Sequence, residues 1–173
     1  MNVHLRKLEE KDAPFMLEWM HDPSINRFFR FDAEAMTLEK CKEYIIKSNN
    51  SVNDVHFAIV DDNDEYLGTI SLKNIKSTDA EYAISTRAKA HGTGAALSAT
   101  KQILDYAFDE LNLEKVYLNV LVENERANAF YKKAGFVFSH TEEKVLEIRG
   151  IKRNLNWYYM KKEQYYTADA NNE

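Results

Sequence analysis

Two glycines one residue apart, Gly92 and Gly94, stand in the segment RAKAHGTGAALSAT at 87–100. Leu97, Thr100, Leu104, Ala107 and Leu111 then recur at three- and four-residue steps, which predicts an amphipathic helix from about Gly94 to Leu111. A helix N-terminus presents amides without intrahelical acceptors and the positive end of the helix dipole, and glycines there remove the Cβ that would hold an anion away. The chemistry indicated is a phosphate cradle; the alternative is a pair of glycines that only turns the chain. A dinucleotide turn would need a third glycine where Leu97 stands, and a P-loop would need Gly-Lys-Ser/Thr, so neither pattern is met. Cys41, the single cysteine, has no neighbours that resemble a nucleophile's setting. The histidines at 4, 21, 56, 91 and 140 are scattered without metal-ligand spacing, so no metal is expected.

About thirty residues further on, NERANAFYKKAGF at 124–136 repeats the helical pattern and closes it with Gly135. Taken with HGTGAA, this segment resembles the GNAT superfamily of acetyl-CoA-dependent N-acetyltransferases, nearest the branch of ribosomal-protein N-terminal, spermidine and nucleotide-aminosugar acetyltransferases. The first half resembles the family's Gln/Arg-x-x-Gly-x-Gly/Ala signature through Gly94 and Ala96. The second resembles Asn-x-x-Ala-x-x-x-Tyr-x-Lys-x-Gly-Phe through Asn124, Ala127, Tyr131, Lys133, Gly135 and Phe136, and is the more specific of the two. The likeness runs from LRKLEEKDAPFMLEW to YYMKKEQY and is weakest over 22–50. Two positions depart from it: His91 stands where Gln or Arg is usual, and Thr93 where this branch often has Lys.

Acetyl transfer to an amine needs a neutral nitrogen, a polarised carbonyl and a proton for the departing thiolate. A primary amine of pKa about 10.4 is neutral at pH 7 in only roughly one part in 2,500, a cost near 4.6 kcal/mol, so a base or water chain matters. In AEYAIST, alternation puts Glu81, Ala83 and Ser85 on one strand face, and the resemblance implies that Glu81 stands beside the amine. Read without the family, Glu81 is a solvated strand carboxylate. Tyr131 lies two helical turns after Asn124, so the two can share a face, and the resemblance implies that its phenol protonates the thiolate. Read alone, Tyr131 is a core ring and Asn124 a helix cap. The resemblance further implies acetyl-CoA contacts at Ile84, Ser85, Thr86, His91, Gly92, Thr93, Gly94, Ala95, Ala96, Asn119, Asn124, Ala127, Phe130, Tyr131 and Lys133. It implies acceptor contacts within His21 to Phe31, at Asn26, Phe28, Phe29 and Phe31.

These residues must be positioned by a mixed α/β fold in one piece, with a largely antiparallel sheet. VHLRKL is expected as a first strand, with Asp12 capping a helix over APFMLEWM that ends before Pro23. Thr37 is expected to cap a second helix through about Ser48. HFAIV, the turn DDNDE and YLGTISL form a hairpin signature, AEYAIST and KVYLNVLV are further strands, and a closing hairpin turns around Gly150. The domain is expected to span 1–166, with the tail TADANNE (167–173) disordered.

The bulk numbers fit this. The chain of 173 residues is 45% hydrophobic and 29% charged, with five Gly and two Pro, which excludes fibrous, low-complexity and largely disordered classes. A net charge of −5 supplies no basic field for nucleic acid or anionic lipid, and no apolar run approaches a membrane span. The start MNVHLRKLEE lacks an apolar leader core, so a cytoplasmic protein is expected. The acceptor stays open between a polyamine, suited by Asp22, Asp32, Glu34, Glu39 and Glu43, an aminosugar, suited by Arg27, Arg30 and aromatics, and an N-terminal peptide amine. A non-catalytic acyl-CoA-binding module is the reading from another class, and a homodimer is compatible with the sequence.

Overall fold

The computed structural model describes residues 1–170. Seven strands form one sheet in the order β1-β2-β3-β4-β5-β7-β6, with β1 Val3–Lys7, β2 Val55–Asp61, β3 Tyr66–Lys73, β4 Asp79–Thr86, β5 Lys115–Leu121, β6 Val137–Ile148 and β7 Ile151–Lys161. Every neighbouring pair is antiparallel except β4 and β5. Among the described residues six α-helices flank it: α1 Ala13–Met20, α2 Pro23–Asn26, α3 Leu38–Asn49, α4 Ala95–Asp105, α5 Glu125–Lys133 and α6 Lys162–Ala170. The sheet is mixed and largely antiparallel, as the strand order in sequence predicts.

Alternation along the strands divides the interior in two. In β2, Ile59 joins Leu67, Ile70, Ala99, Ile103 and Phe108 in a core under α4. Its neighbours Ala58 and Val60 face the other way, into a core with Met16, Trp19 and Met20 of α1 and Cys41 and Ile45 of α3. Full burial of each large aliphatic side chain contributes about 1.5–3 kcal/mol. Thr37 caps α3 by accepting from the Lys40 amide at 3.2 Å, as its type predicts. The predicted long helix after Gly94 runs to Asp105 and continues as a π turn over Tyr106–Glu110, closed by Leu111 N–H to the Tyr106 carbonyl at 3.0 Å. At the closing hairpin, Arg149 and Gly150 both take positive φ, the pairing that a two-residue turn requires.

Two expectations change. Asp12 does not cap α1: its buried carboxylate accepts from Arg6 Nη1 and Nη2 at 2.8 Å each, and from the Glu9 amide at 2.8 Å, within a 3-10 turn preceding the helix. An arginine fork in reach outcompetes a cap because both carboxylate oxygens are satisfied at once. The expected domain end at 166 falls inside α6, and residues 167–170 of the tail continue that helix. Tyr165 and Tyr166 pack on Phe108, and Thr167 Oγ1 donates to the Glu163 carbonyl at 2.8 Å. The two rings anchor the helix just before the segment whose polar composition reads as a free tail; residues 171–173 lie outside the described residues.

Candidate active site

The parallel pairing of β4 and β5 lasts only three residue pairs, Asp79 with Lys115, Ala80 with Val116 and Glu81 with Tyr117. Beyond it the strands part. A cavity of about 590 Å³ opens in the gap, walled by Ile84, Ser85 and Thr86 of β4, Val120 of β5, the loop and first turn of α4, and α5. Of the residues expected to hold acetyl-CoA, it is lined by Ile84, Ser85, Thr86, His91, Gly92, Gly94, Ala96, Asn124, Ala127, Phe130, Tyr131 and Lys133. Thr93, Ala95 and Asn119 are not among the lining. Thr93 Oγ1 donates to the Ala90 carbonyl at 2.6 Å and accepts from the Ala95 amide at 3.2 Å, so it ties down the loop, while Ala95, the first residue of α4, is buried in the core.

Gly92 and Gly94 have φ of +74° and +83°, a region that costs other L-residues roughly 1–2 kcal/mol. A Cβ at either would meet nothing within 4 Å, so the backbone angle fixes the glycines while the space before them stays open. Among the described residues the amides of Gly92, Gly94 and Ala96 have no backbone acceptor. An open, positive-ended helix start with free amides fits the diphosphate of acetyl-CoA. At the mouth, Arg126 Nη1 donates to His91 Nδ1 at 2.7 Å. Burial, with Arg126 beside it, holds the imidazole below its ordinary pKa, so it stays neutral and accepts. His91 thus brings a guanidinium to the lip of the cavity, where the family usually has Gln or Arg on the loop itself.

Asn124 caps α5 by accepting from the Ala127 amide at 3.3 Å, so its ordinary structural duty is real. Asn128, one turn along that helix, carries no signal in the sequence motif. Asn128 donates to the carbonyls of Leu121 and Asn124 and accepts from Asn156 Nδ2 and the Tyr158 hydroxyl, at 2.8–3.0 Å, which fastens α5 to β5 and β7. Tyr131 sits one turn further on, 8% exposed, among the rings of Tyr82, Phe130, Phe136 and Tyr158. Its hydroxyl has no hydrogen-bond partner among the described residues and opens onto the cavity. Burial pushes its pKa above the ordinary phenol value, which keeps it protonated.

A second cavity, of about 390 Å³, adjoins the first across β4, and both are lined by Ile84 and Ser85. Trp19 and Met20 of α1, Phe31, Met36, Tyr44 of α3, His56, Thr69, Ser71, Lys73 and Ala83 complete it. Its floor is a polar patch on the sheet. In the strand register Ala83, Ser71 and His56 stand side by side, and Ser85 is paired with Thr69 in the next row. Trp19 Nε1 donates to the Tyr66 hydroxyl at 3.0 Å, which lies 2.7 Å from Thr69 Oγ1. The acceptor residues expected in the 21–31 loop divide: Phe28 and Phe29 line the first cavity, Phe31 the second. Phe29 stacks on Phe31 at 5.3 Å and meets Trp19 edge-on at 5.5 Å, so the aromatic loop spans both. Asn26 is buried, its Nδ2 donating to the Met20 carbonyl at 2.9 Å; it shapes the loop and lines neither cavity.

Glu81, expected beside the amine, also lines neither cavity. Its Oε1 accepts from Asn119 Nδ2 at 3.0 Å and its Oε2 lies 3.9 Å from Lys73 Nζ. Asn119 in turn accepts from Arg30, so a polar chain crosses the point where β4 and β5 begin to part and reaches the aromatic loop. Cys41 is buried in the second core, where burial pushes its thiol pKa up, opposite to the shift a nucleophile needs.

Comparison with known proteins agrees with this architecture. Residues 2–137 match the family described as Acetyltransferase (GNAT) domain, and the chain belongs to that family. It is an N-acetyltransferase that uses acetyl-CoA. Among curated relatives, the spermidine N(1)-acetyltransferase of Vibrio cholerae is 30% identical over 135 residues, covering 77% of this chain and 78% of that protein. The spermidine N(1)-acetyltransferase of Escherichia coli is 31% identical over 137 residues, covering 78% and 73%. Among solved structures, the Vibrio cholerae spermidine N-acetyltransferase in complex with CoA and spermine superposes with a TM-score of 0.84 at 26% identity, over 95% of this chain and 98% of that one. Among the described residues no helix is long and apolar enough to cross a membrane.

Proposed function

We propose that this enzyme acetylates a primary amine of a small molecule held in the second cavity, with acetyl-CoA in the first. The observation that carries this is the shared wall: Ile84 and Ser85 line both cavities, so a thioester and an amine can meet across β4. Bound acetyl-CoA supplies an activated acyl group on a thiol leaving group. The amides of Gly92, Gly94 and Ala96 bind its diphosphate, Arg126 and Lys133 face its phosphates, and Tyr131 holds the proton that the sulfur needs. Asn119 and Glu81 brace the parting strands and fix Arg30 and Lys73, which orients the aromatic loop over the acceptor.

The acceptor cavity supports an aminosugar-like amine. Hydroxyls of Tyr44, Thr69, Ser71 and Ser85 stand among aromatic and methionine side chains, and its cation is Lys73; among the described residues no carboxylate lines it. A polyamine would leave its own cations unpaired there, at a desolvation cost. The acidic residues suited to a polyamine lie elsewhere, Asp22 and Asp32 being spent as helix and turn caps. The polyamine reading is supported by the names of the relatives. The same reading sets the enzyme in the cytoplasm, supported by its free, buried Cys41, and admits a homodimer. Thiol release from acetyl-CoA, assayed with glucosamine, a UDP-linked aminosugar, spermidine, spermine and an alanine-leading peptide, is the test. Faster turnover with the sugars is expected; preference for spermidine would select the polyamine, and preference for the peptide would move the reading to protein N-termini.

A further inference from the structure

The family motifs supply a proton donor for the sulfur, yet the residue expected to take the amine's proton, Glu81, lines neither cavity and is engaged by Asn119 and Lys73. The floor of the acceptor cavity holds another group able to do so. Ser71 Oγ lies 2.6 Å from His56 Nδ1, both residues line the cavity, and the His56 side chain is only 7% exposed. On the far side of the ring, His56 Nε2 lies 3.7 Å from Asp54 Oδ2, and Asp54 is itself oriented by accepting from the Asn74 amide at 2.9 Å.

We propose that Ser71 and His56 form the proton relay for the acceptor amine, with the Asp54 carboxylate facing the other side of the imidazole. This rests on the acetyl-transfer reading above. The negative charge of Asp54, 3.7 Å from Nε2, favours the tautomer with its proton on Nε2, which leaves the Nδ1 lone pair to accept from the Ser71 hydroxyl. Ser71 Oγ then offers its own lone pairs to an amine in the cavity. As the nitrogen–carbon bond forms and the carbon–sulfur bond breaks, the amine's proton passes to Ser71 Oγ, the Ser71 proton passes to His56 Nδ1, and the Tyr131 proton passes to sulfur. The imidazolium then returns its proton to solvent and the Tyr131 phenolate takes one up, so amine and thioester become amide and thiol with no net change in the protein.

Position supports the relay over the strand carboxylate. Ser71 is paired with Ala83 in the register, one strand spacing of roughly 4.8 Å from the wall that both cavities share. The groups facing His56 are Tyr44 from α3, whose hydroxyl is 3.3 Å from Nδ1, Asp54 before β2, and Ser71 and Lys73 on β3. Burial outweighs Asp54 and, with Lys73, holds the imidazole below its ordinary pKa, so the base is neutral and ready at pH 7. A base of this strength suits an amine of pKa about 8, some 1.5 units above an ordinary imidazole, better than one of about 10.4, some four units above.

The test is kcat against pH for the full-length wild type, His56→Gln and Ser71→Ala, using the fastest amine of the panel above. For the wild type, kcat is expected to rise with pH through an apparent pKa below the ordinary imidazole value of about 6.5. Both variants should lose roughly 10²-fold in kcat at pH 7 with the acceptor KM little changed, and His56→Gln should lose that acid limb. Ser71→Ala removes a single oxygen and reads out the relay even where His56→Gln does not fold. A wild type that turns over while Ser71→Ala keeps its kcat, or whose acid limb survives in folded His56→Gln, overturns the relay alone. A wild type that releases no thiol with any amine overturns the acetyl-transfer reading, and the relay with it.

Discussion

The two cavities that meet at Ile84 and Ser85 are built by different means. The cofactor cleft is made of backbone: a short parallel pairing that gives way, two glycines at positive φ, and a helix start with free amides. The acceptor cavity is made of side chains drawn from α1, the aromatic loop, α3 and three strands, and its character lies in which of them are polar. The difference teaches where each function can vary. A backbone cradle tolerates substitution around it, as His91 and Arg126 illustrate, whereas one exchange on the proposed acceptor floor is expected to change what the enzyme recognises.

The largest effect expected on this division comes from the phenol that lines the first cavity. Tyr131→Phe removes a hydroxyl that has no partner among the described residues and keeps the ring packing, so stability should hold while kcat falls about 10²–10⁴-fold with acetyl-CoA affinity unchanged. Wild-type turnover would return Tyr131 to a packing role. Next comes the wall itself. A Cβ at Gly68 would lie 2.5 Å from the Ser85 carbonyl oxygen and 3.0 Å from the Thr86 Cα, both backbone atoms, so Gly68→Ala must push β3 from β4. A loss of about 1–3 kcal/mol in stability by denaturant titration is expected, with both substrates bound more weakly; an unchanged midpoint would contradict the rigid shared wall. Smallest is Arg126→Ala at the solvent lip. A rise in the acetyl-CoA Kd of about two- to tenfold, shrinking in high salt, is expected, and no change would leave the Arg126–His91 contact without a binding role.

The same division decides what was legible in the sequence. The cofactor cleft rests on contiguous segments, HGTGAA and NERANAFYKKAGF, whose glycines and helical spacing carry the backbone instructions within themselves. The acceptor cavity has no such segment. Its floor arises only once β2, β3 and β4 are in register, and His56, one of five scattered histidines, gains meaning from Ser71 and Asp54. One signal was present: in YLGTISLK, Thr69, Ser71 and Lys73 alternate with Ile70 and Leu72, so one face of the strand carries polar residues while the other is apolar. Glu81 shares a strand face with Ala83 and Ser85 as alternation predicts, but the neighbouring strands direct its carboxylate to Asn119 and Lys73. Asp12 shows the same limit, since its partner Arg6 comes from another element.

The central claim is that backbone at the start of α4 grips the cofactor and side chains on the sheet floor serve the acceptor. Calorimetric titration of acetyl-CoA into Gly94→Asp and Ser71→Ala, beside the wild type, tests it most directly. Gly94→Asp puts a strained Cβ and a carboxylate where the proposed cradle would hold phosphate, and should weaken binding roughly 10²-fold or abolish it. Ser71→Ala should bind as the wild type does. Equal weakening in both variants, or full affinity in Gly94→Asp, would contradict the account.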